Sequence, residues 1–135
     1  MARRAQIHAD QCDFHHSKDR PAGIGENIWS GNSFNFDDAV RLWFNEVALY
    51  GCSAYFNMYC GHYTQVVTAR ARNFGCGFST CEYVRGSGRR NVLVCQYDAG
   101  NIIGVPAFKA YASHGRAQCL ECPATSGGCS NGLCT

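Results

Sequence analysis

Two histidines and one glutamate stand where their chemistry needs an explanation. His62 lies in CGHYTQVV, between a cysteine–glycine turn and a run suited to burial. His16 closes an inward stripe of Ala5, Ala9, Cys12 and His16, at the spacings of a helix read over residues 2–16. Glu46 falls in the middle of an apolar face formed by Ala39, Leu42, Trp43 and Tyr50. A carboxylate on a buried stripe costs on the order of several kcal/mol unless it meets a cation, a metal or hydrogen-bond donors. Glu46 therefore requires a partner. Imidazole and carboxylate together can ligate a divalent ion, move a proton, or knot the core by hydrogen bonds, and the residues alone leave these three open.

Ten cysteines in 135 residues constrain the compartment. An even number in a short chain points to a disulfide framework and an oxidising environment. Zinc is the competing reading, but Cys119 and Cys122 form the one C-x2-C pair, with no second pair or histidine pair at zinc-finger spacing. The length and the 46% hydrophobic content fit one globular domain. Net charge is only +2, and no arginine-rich block is interleaved with aromatics, so nucleic acid is not an expected partner. No segment reads as transmembrane. The start, MARRAQIHAD, is basic but lacks an apolar leader core, so secretion implies either a leader already removed or a start inside a longer protein.

The elements that must position these residues follow from pattern. DRPAGIGEN breaks the first helix with Pro and Gly. Asn35 can cap a second helix, with Asp37 and Asp38 at its positive end and AVRLWFNEVALY as its body. HYTQVVTARA can form a third, short helix. GCGFSTCEYV and NVLVCQYDA read as an antiparallel hairpin joined by RGSGRR. From about Ser113 the chain changes character: CLECPATSGGCSNGLCT holds four cysteines in seventeen residues and little to bury, the composition of a small disulfide-held appendage.

These segments, in this order, resemble the CAP superfamily of cysteine-rich secretory proteins, venom antigen 5 proteins and plant pathogenesis-related 1 proteins. The resemblance runs through CDFHHS, GIGENIW, LWFNEVALY, GHYTQVV, FGCG and VLVCQYDAGNIIG, roughly residues 5 to 112, and the tail resembles the hinge of cysteine-rich secretory and venom proteins. It implies an α+β fold, an α-β-α sandwich around a mostly antiparallel sheet, with a CAP domain over 1–112 and a hinge-like tail over 113–135. It also implies a cleft lined by His16, Glu26, Glu46 and His62, where Zn²⁺ or another divalent ion would take the imidazoles as ligands. Glu26 and Glu46 would add ligands or orient the rings. His15 is expected to be exposed, and His8 and His114 have no motif around them. The implied disulfides are Cys12–Cys81, Cys76–Cys95, Cys52–Cys60, Cys119–Cys129 and Cys122–Cys134. A third family bridge is absent, since its two positions hold Ile24 or Gly25 and Asp98.

Three departures matter. Thr68 stands where the family usually has a tryptophan after TQVV, the family's first helix is missing, and Thr135 precedes any channel-blocking domain. The resemblance implies a secreted, monomeric, non-enzymatic module of extracellular or venom type, with an extracellular protein, lipid or sterol as partner. One alternative is a hydrolase on the same four residues, although HExxH, a Ser–His–Asp pattern and an oxyanion loop are all missing. Another is a sterol or lipid module using the aromatic stretch YGCSAYFNMYCGHY.

Overall fold

The computed structural model describes residues 1–108, 127–130 and 133–134. Its centre is a three-stranded antiparallel sheet of β1 (Gly25–Gly31), β2 (Phe74–Thr80) and β3 (Asn91–Tyr97), in the order β1-β3-β2. All seven residues of β3 are buried, because each face of the central strand is covered by helix. Alternation divides the core cleanly. Val92 and Val94 meet Ala5 and Ala9 of α1 (Ala2–Ala9), with Ile28 and Val84. Leu93, Cys95 and Tyr97 meet Ala39 and Trp43 of α2 (Phe36–Tyr50) on the other face. A short α3 (Gly61–Val66) packs beside α2. The mixed fold with helices on both faces is the expected α-β-α sandwich.

Helix α1 lies at backbone range of β2 because glycine lets it. A Cβ on Gly77 would stand 2.2 Å from the Gln6 backbone nitrogen, and one on Gly75 would stand 2.3 Å from that of Ala2. The Gln6 side chain then reaches the outer edge of β2: its Nε2 donates to the Phe78 carbonyl at 2.8 Å and its Oε1 accepts the Phe78 amide at 3.0 Å.

Five expectations are corrected. The first helix ends at Ala9 rather than His16, because Cys12 takes a left-handed φ of 54° and residues 12–14 pair with Arg85 instead. Backbone bonds to a neighbouring segment displace helix continuation there. GENIWSG is a strand, not merely the segment after a break; its polar Glu26 and Asn27 are buried among partners, so it shows no apolar alternation. On α2, Leu42 and Tyr50 are exposed, and the buried stripe is Ala39 and Trp43. The third helix stops at Val66, five residues before its expected end at Ala71, and the first hairpin arm stops at Thr80. Asn35 caps α2 through Oδ1, accepting from the amides of Asp37 and Asp38, and Gly51 closes it in the left-handed region at φ 64°.

The structure forms the disulfides Cys12–Cys81, Cys52–Cys60 and Cys76–Cys95. In the tail, β4 (Cys129–Ser130) pairs with β5 (Leu133–Cys134). The pairings Cys119–Cys129 and Cys122–Cys134, the domain boundary at 112/113, and His114 involve positions outside the described residues.

Candidate functional site

Each expected histidine meets one of the expected glutamates. His16 Nδ1 lies 2.8 Å from Glu26 Oε1, and His62 Nδ1 lies 2.6 Å from Glu46 Oε1. A bond to a carboxylate oxygen requires Nδ1–H, which leaves Nε2 of each ring as the free position. The rings are 59% and 42% exposed, whereas the carboxylates are 0% and 14% exposed, so the charges are inside and the imidazoles face outward.

Glu26 is held from all sides. Its Oε1 accepts from His16, from the Ser17 amide at 3.0 Å and from Arg20 Nη1 at 3.2 Å; its Oε2 accepts from Ser17 Oγ and from Gln96 Nε2 at 2.9 Å. The register explains Gln96, which stands directly opposite Glu26 across the β1–β3 ladder. Burial is the largest single effect on this carboxyl and opposes ionisation. The bonds from His16, Ser17 and Gln96 together outweigh it and bring the group down to about 2.

Glu46 finds the partner that its position demanded. Besides His62 it accepts the Tyr63 amide at 2.9 Å on Oε2, at the start of α3. The His62 ring lies parallel to that of Trp43 one turn earlier on α2, with centroids 6.3 Å apart and 9° between planes. The Cys52–Cys60 bridge ends at the residue before α3, and Asn27 Nδ2 donates to the His62 carbonyl at 3.1 Å. Adjacent residues of β1 thus serve the two pairs: Glu26 holds the His16 ring and Asn27 holds the His62 backbone.

His8, which has no motif around it, is one of the supports. It is buried, and its Nε2 lies 2.7 Å from the His15 carbonyl, so Nε2–H donates there. Asp13 fixes the same loop, accepting from the His15 amide and ring and from Arg85; those bonds hold its carboxyl well below the usual range, the Arg85 bond most of all. The His15 ring itself is exposed. Helical spacing placed Ala5 and Ala9 on the inward face of α1, and His8 shares that face; the sequence signal was available in its neighbours. Thr68, in place of the family tryptophan, is buried, and its hydroxyl has no protein partner among the described residues.

The donor set decides what a metal would find. Every oxygen of the two glutamates accepts at least one hydrogen bond from the protein. At most two imidazole Nε2 atoms remain, and among the described residues no group of three or more His, Cys, Asp or Glu side chains is gathered to hold an ion. Two imidazoles fall short of the three protein ligands of catalytic zinc and the four of structural zinc.

The comparisons with known proteins agree with this architecture. The family described as "Cysteine-rich secretory protein family" (CAP) matches residues 1–97. Protein lon-1 of Caenorhabditis elegans is 43% identical over 149 aligned positions, covering 99% of this chain and 47% of its own. Venom allergen 5.02 of Vespa crabro is 33% identical, covering 81% of this chain and 58% of its own. The chain thus spans about half the length of these relatives. The solved structure of BmVAL-1 superposes with a TM-score of 0.65 at 25% identity, over 79% of this chain and 60% of that one. No helix among the described residues is long and apolar enough to cross a membrane. The chain belongs to the cysteine-rich secretory protein (CAP) family, as a CAP-domain protein of the venom allergen-like type.

Proposed function

We propose that this protein is a secreted, non-enzymatic binding module whose cleft takes a divalent ion, Zn²⁺ first among them, through His16 and His62. The observation that carries the reading is the pairing of each exposed ring, at Nδ1, with a buried or nearly buried carboxylate. That arrangement fixes the tautomer and presents Nε2 outward. Glu26 and Glu46 are positioning residues in this scheme. The ion, when bound, would supply open coordination positions for a ligand group from an extracellular partner. Hydrolysis is the weaker reading, because a general base must be free to take a proton, and the Glu26 carboxylate is surrounded by donors on both oxygens. The disulfides and the venom allergen-like relatives support an extracellular setting.

Calorimetric titration of the oxidised protein with zinc tests this. Binding at roughly micromolar Kd, lost in a folded His16→Ala/His62→Ala variant, is the expected result. A wild type that takes up no zinc, or a variant that binds equally well, would leave the two pairs as structural knots.

A second reading rests on a different surface. Tyr55, Met58 and Tyr59 are exposed on the 52–60 loop, and Ile103 is exposed on the 101–108 loop. The two loops are joined by the Ala107 amide, which donates to the Ala54 carbonyl at 2.7 Å, and Asn101 Nδ2 donates to the carbonyl of Gly61, the first residue of α3, at 3.0 Å. Such an apolar surface suits a sterol or lipid. Saturable sterol binding that survives the double histidine variant and is lost in Tyr59→Ser/Met58→Ser would assign it; binding indifferent to those loop changes would remove it.

A further inference from the structure

A groove of about 460 Å³ opens between the end of β1, the first half of α2 and the 85–90 turn, and none of its lining residues belongs to the histidine–glutamate pairs. Its apolar wall is Trp29, and that ring is clamped. A Cβ on Gly31 would stand 2.3 Å from Trp29 Cζ2, so the indole rests directly on the Gly31 backbone. Phe34 meets it edge-on, at 6.3 Å and 71°, and Phe34 in turn lies 4.0 Å from Phe78. The chain has built a flat apolar platform of fixed orientation.

Around the platform stand polar groups with nothing to do inside the fold. Asn32 and Asn45 are exposed, and their amides make no hydrogen bond among the described residues. Arg41 is committed to Asp38 at 2.5 Å. Arg89 is different: its backbone amide donates to Ser87 Oγ at 3.3 Å, which shapes the turn, while its guanidinium has no carboxylate partner among the described residues. An acyl chain would need continuous apolar walls, and here only Trp29 and Leu42 supply them.

We propose that this groove binds an acidic saccharide. The C–H face of a sugar ring lies on the Trp29 indole, its hydroxyls exchange hydrogen bonds with the amides of Asn32 and Asn45, and a carboxylate or sulfate on the sugar accepts from the Arg89 guanidinium fork. A uronate and a sulfated sugar share this chemistry. The shallow, half-polar shape suits a solvated ligand that keeps part of its surface in water.

The test is a titration of the full, oxidised, ¹⁵N-labelled chain, followed at the two tryptophan indole N–H signals. The probes are a hyaluronan tetrasaccharide (carboxylate only), a chondroitin 6-sulfate tetrasaccharide and neutral chitotetraose. Trp29 lines the groove while Trp43 is buried against His62, so saturable movement of Trp29 with Trp43 unmoved is expected. At least one acidic probe should bind at roughly millimolar Kd or tighter. A response to both assigns the carboxylate as the recognised acid, and a response to the chondroitin probe alone assigns the sulfate. Arg89→Glu, an exposed turn substitution, should weaken the acidic probes at least about tenfold, as should replacing them by the neutral sugar. An unmoved Trp29, equal binding of acidic and neutral sugars, or an Arg89→Glu variant that binds as the wild type would each overturn the proposal.

Discussion

Glu46 joins α2 to α3 by gripping two consecutive residues, the His62 ring at 2.6 Å and the Tyr63 amide at 2.9 Å. A glutamine can still accept at one of these positions, but it loses the charge that draws the Nδ1–H. Glu46→Gln should therefore weaken zinc binding by about 10- to 100-fold while costing only about 1 kcal/mol in stability. Calorimetry beside urea unfolding separates the two effects; an unchanged zinc affinity would show that the ring is held by its stack on Trp43 alone.

Glu26 gives the fold an acid limit. Its carboxyl is held at about 2 in the folded chain against an ordinary value of 4.5. The folded state therefore gains stability that is fully present above pH 4.5 and fades as pH falls toward 2. The contribution at neutral pH is on the order of 3 kcal/mol. Because Asp10, Asp13 and Asp98 are also depressed, the informative quantity is the difference between wild type and Glu26→Gln, which should shrink as urea melts move from pH 7 toward pH 3. A difference that stays constant with pH would refute the assignment.

His8 positions the loop that carries His16. His8→Ala should cost about 2 kcal/mol, partly cavity and partly the lost bond to the His15 carbonyl. A structural role alone would stop there. A positioning role also lowers zinc affinity, and His8→Gln, whose amide can still donate, should recover part of that affinity.

The Cys52–Cys60 bridge closes a loop with a sequence separation of 8, immediately before α3. Replacing both cysteines by alanine should remove about 2–3 kcal/mol of stability. Protection from hydrogen exchange should fall first at the amides of α3, next to His62. Uniform loss across the sheet would instead mean that the bridge acts only on the unfolded chain.

The parts of the fold legible in the sequence were those with local signals: the Asn35 cap, the β3 apolar run and the glutamate stranded on a helix face. Helix α1 was overextended because the Ala5–Ala9–Cys12 spacing continues past the point where Arg85, distant in sequence, captures the backbone. Strand β1 was missed because its burial is paid in polar partners: Asn27 is 1% and Glu26 6% exposed, so the strand carries no hydrophobic period. Both failures have one cause, long-range pairing that leaves no mark on neighbouring residues. The four site residues were placed by motif order. The donors that surround Glu26, from Ser17, Gln96 and Arg20, become visible only once Gln96 is seen across the ladder from it.

The Gln6 amide on Phe78 has a consequence for how these molecules treat one another. β2 is an outer strand, and an outer strand with a free amide and carbonyl is a template onto which another chain can add. By occupying both groups of Phe78, one side chain imitates the next strand and ends the sheet. At Phe78 this edge therefore offers no free amide or carbonyl to an adding strand, and the group that fills the place comes from the same helix that supports the histidine loop.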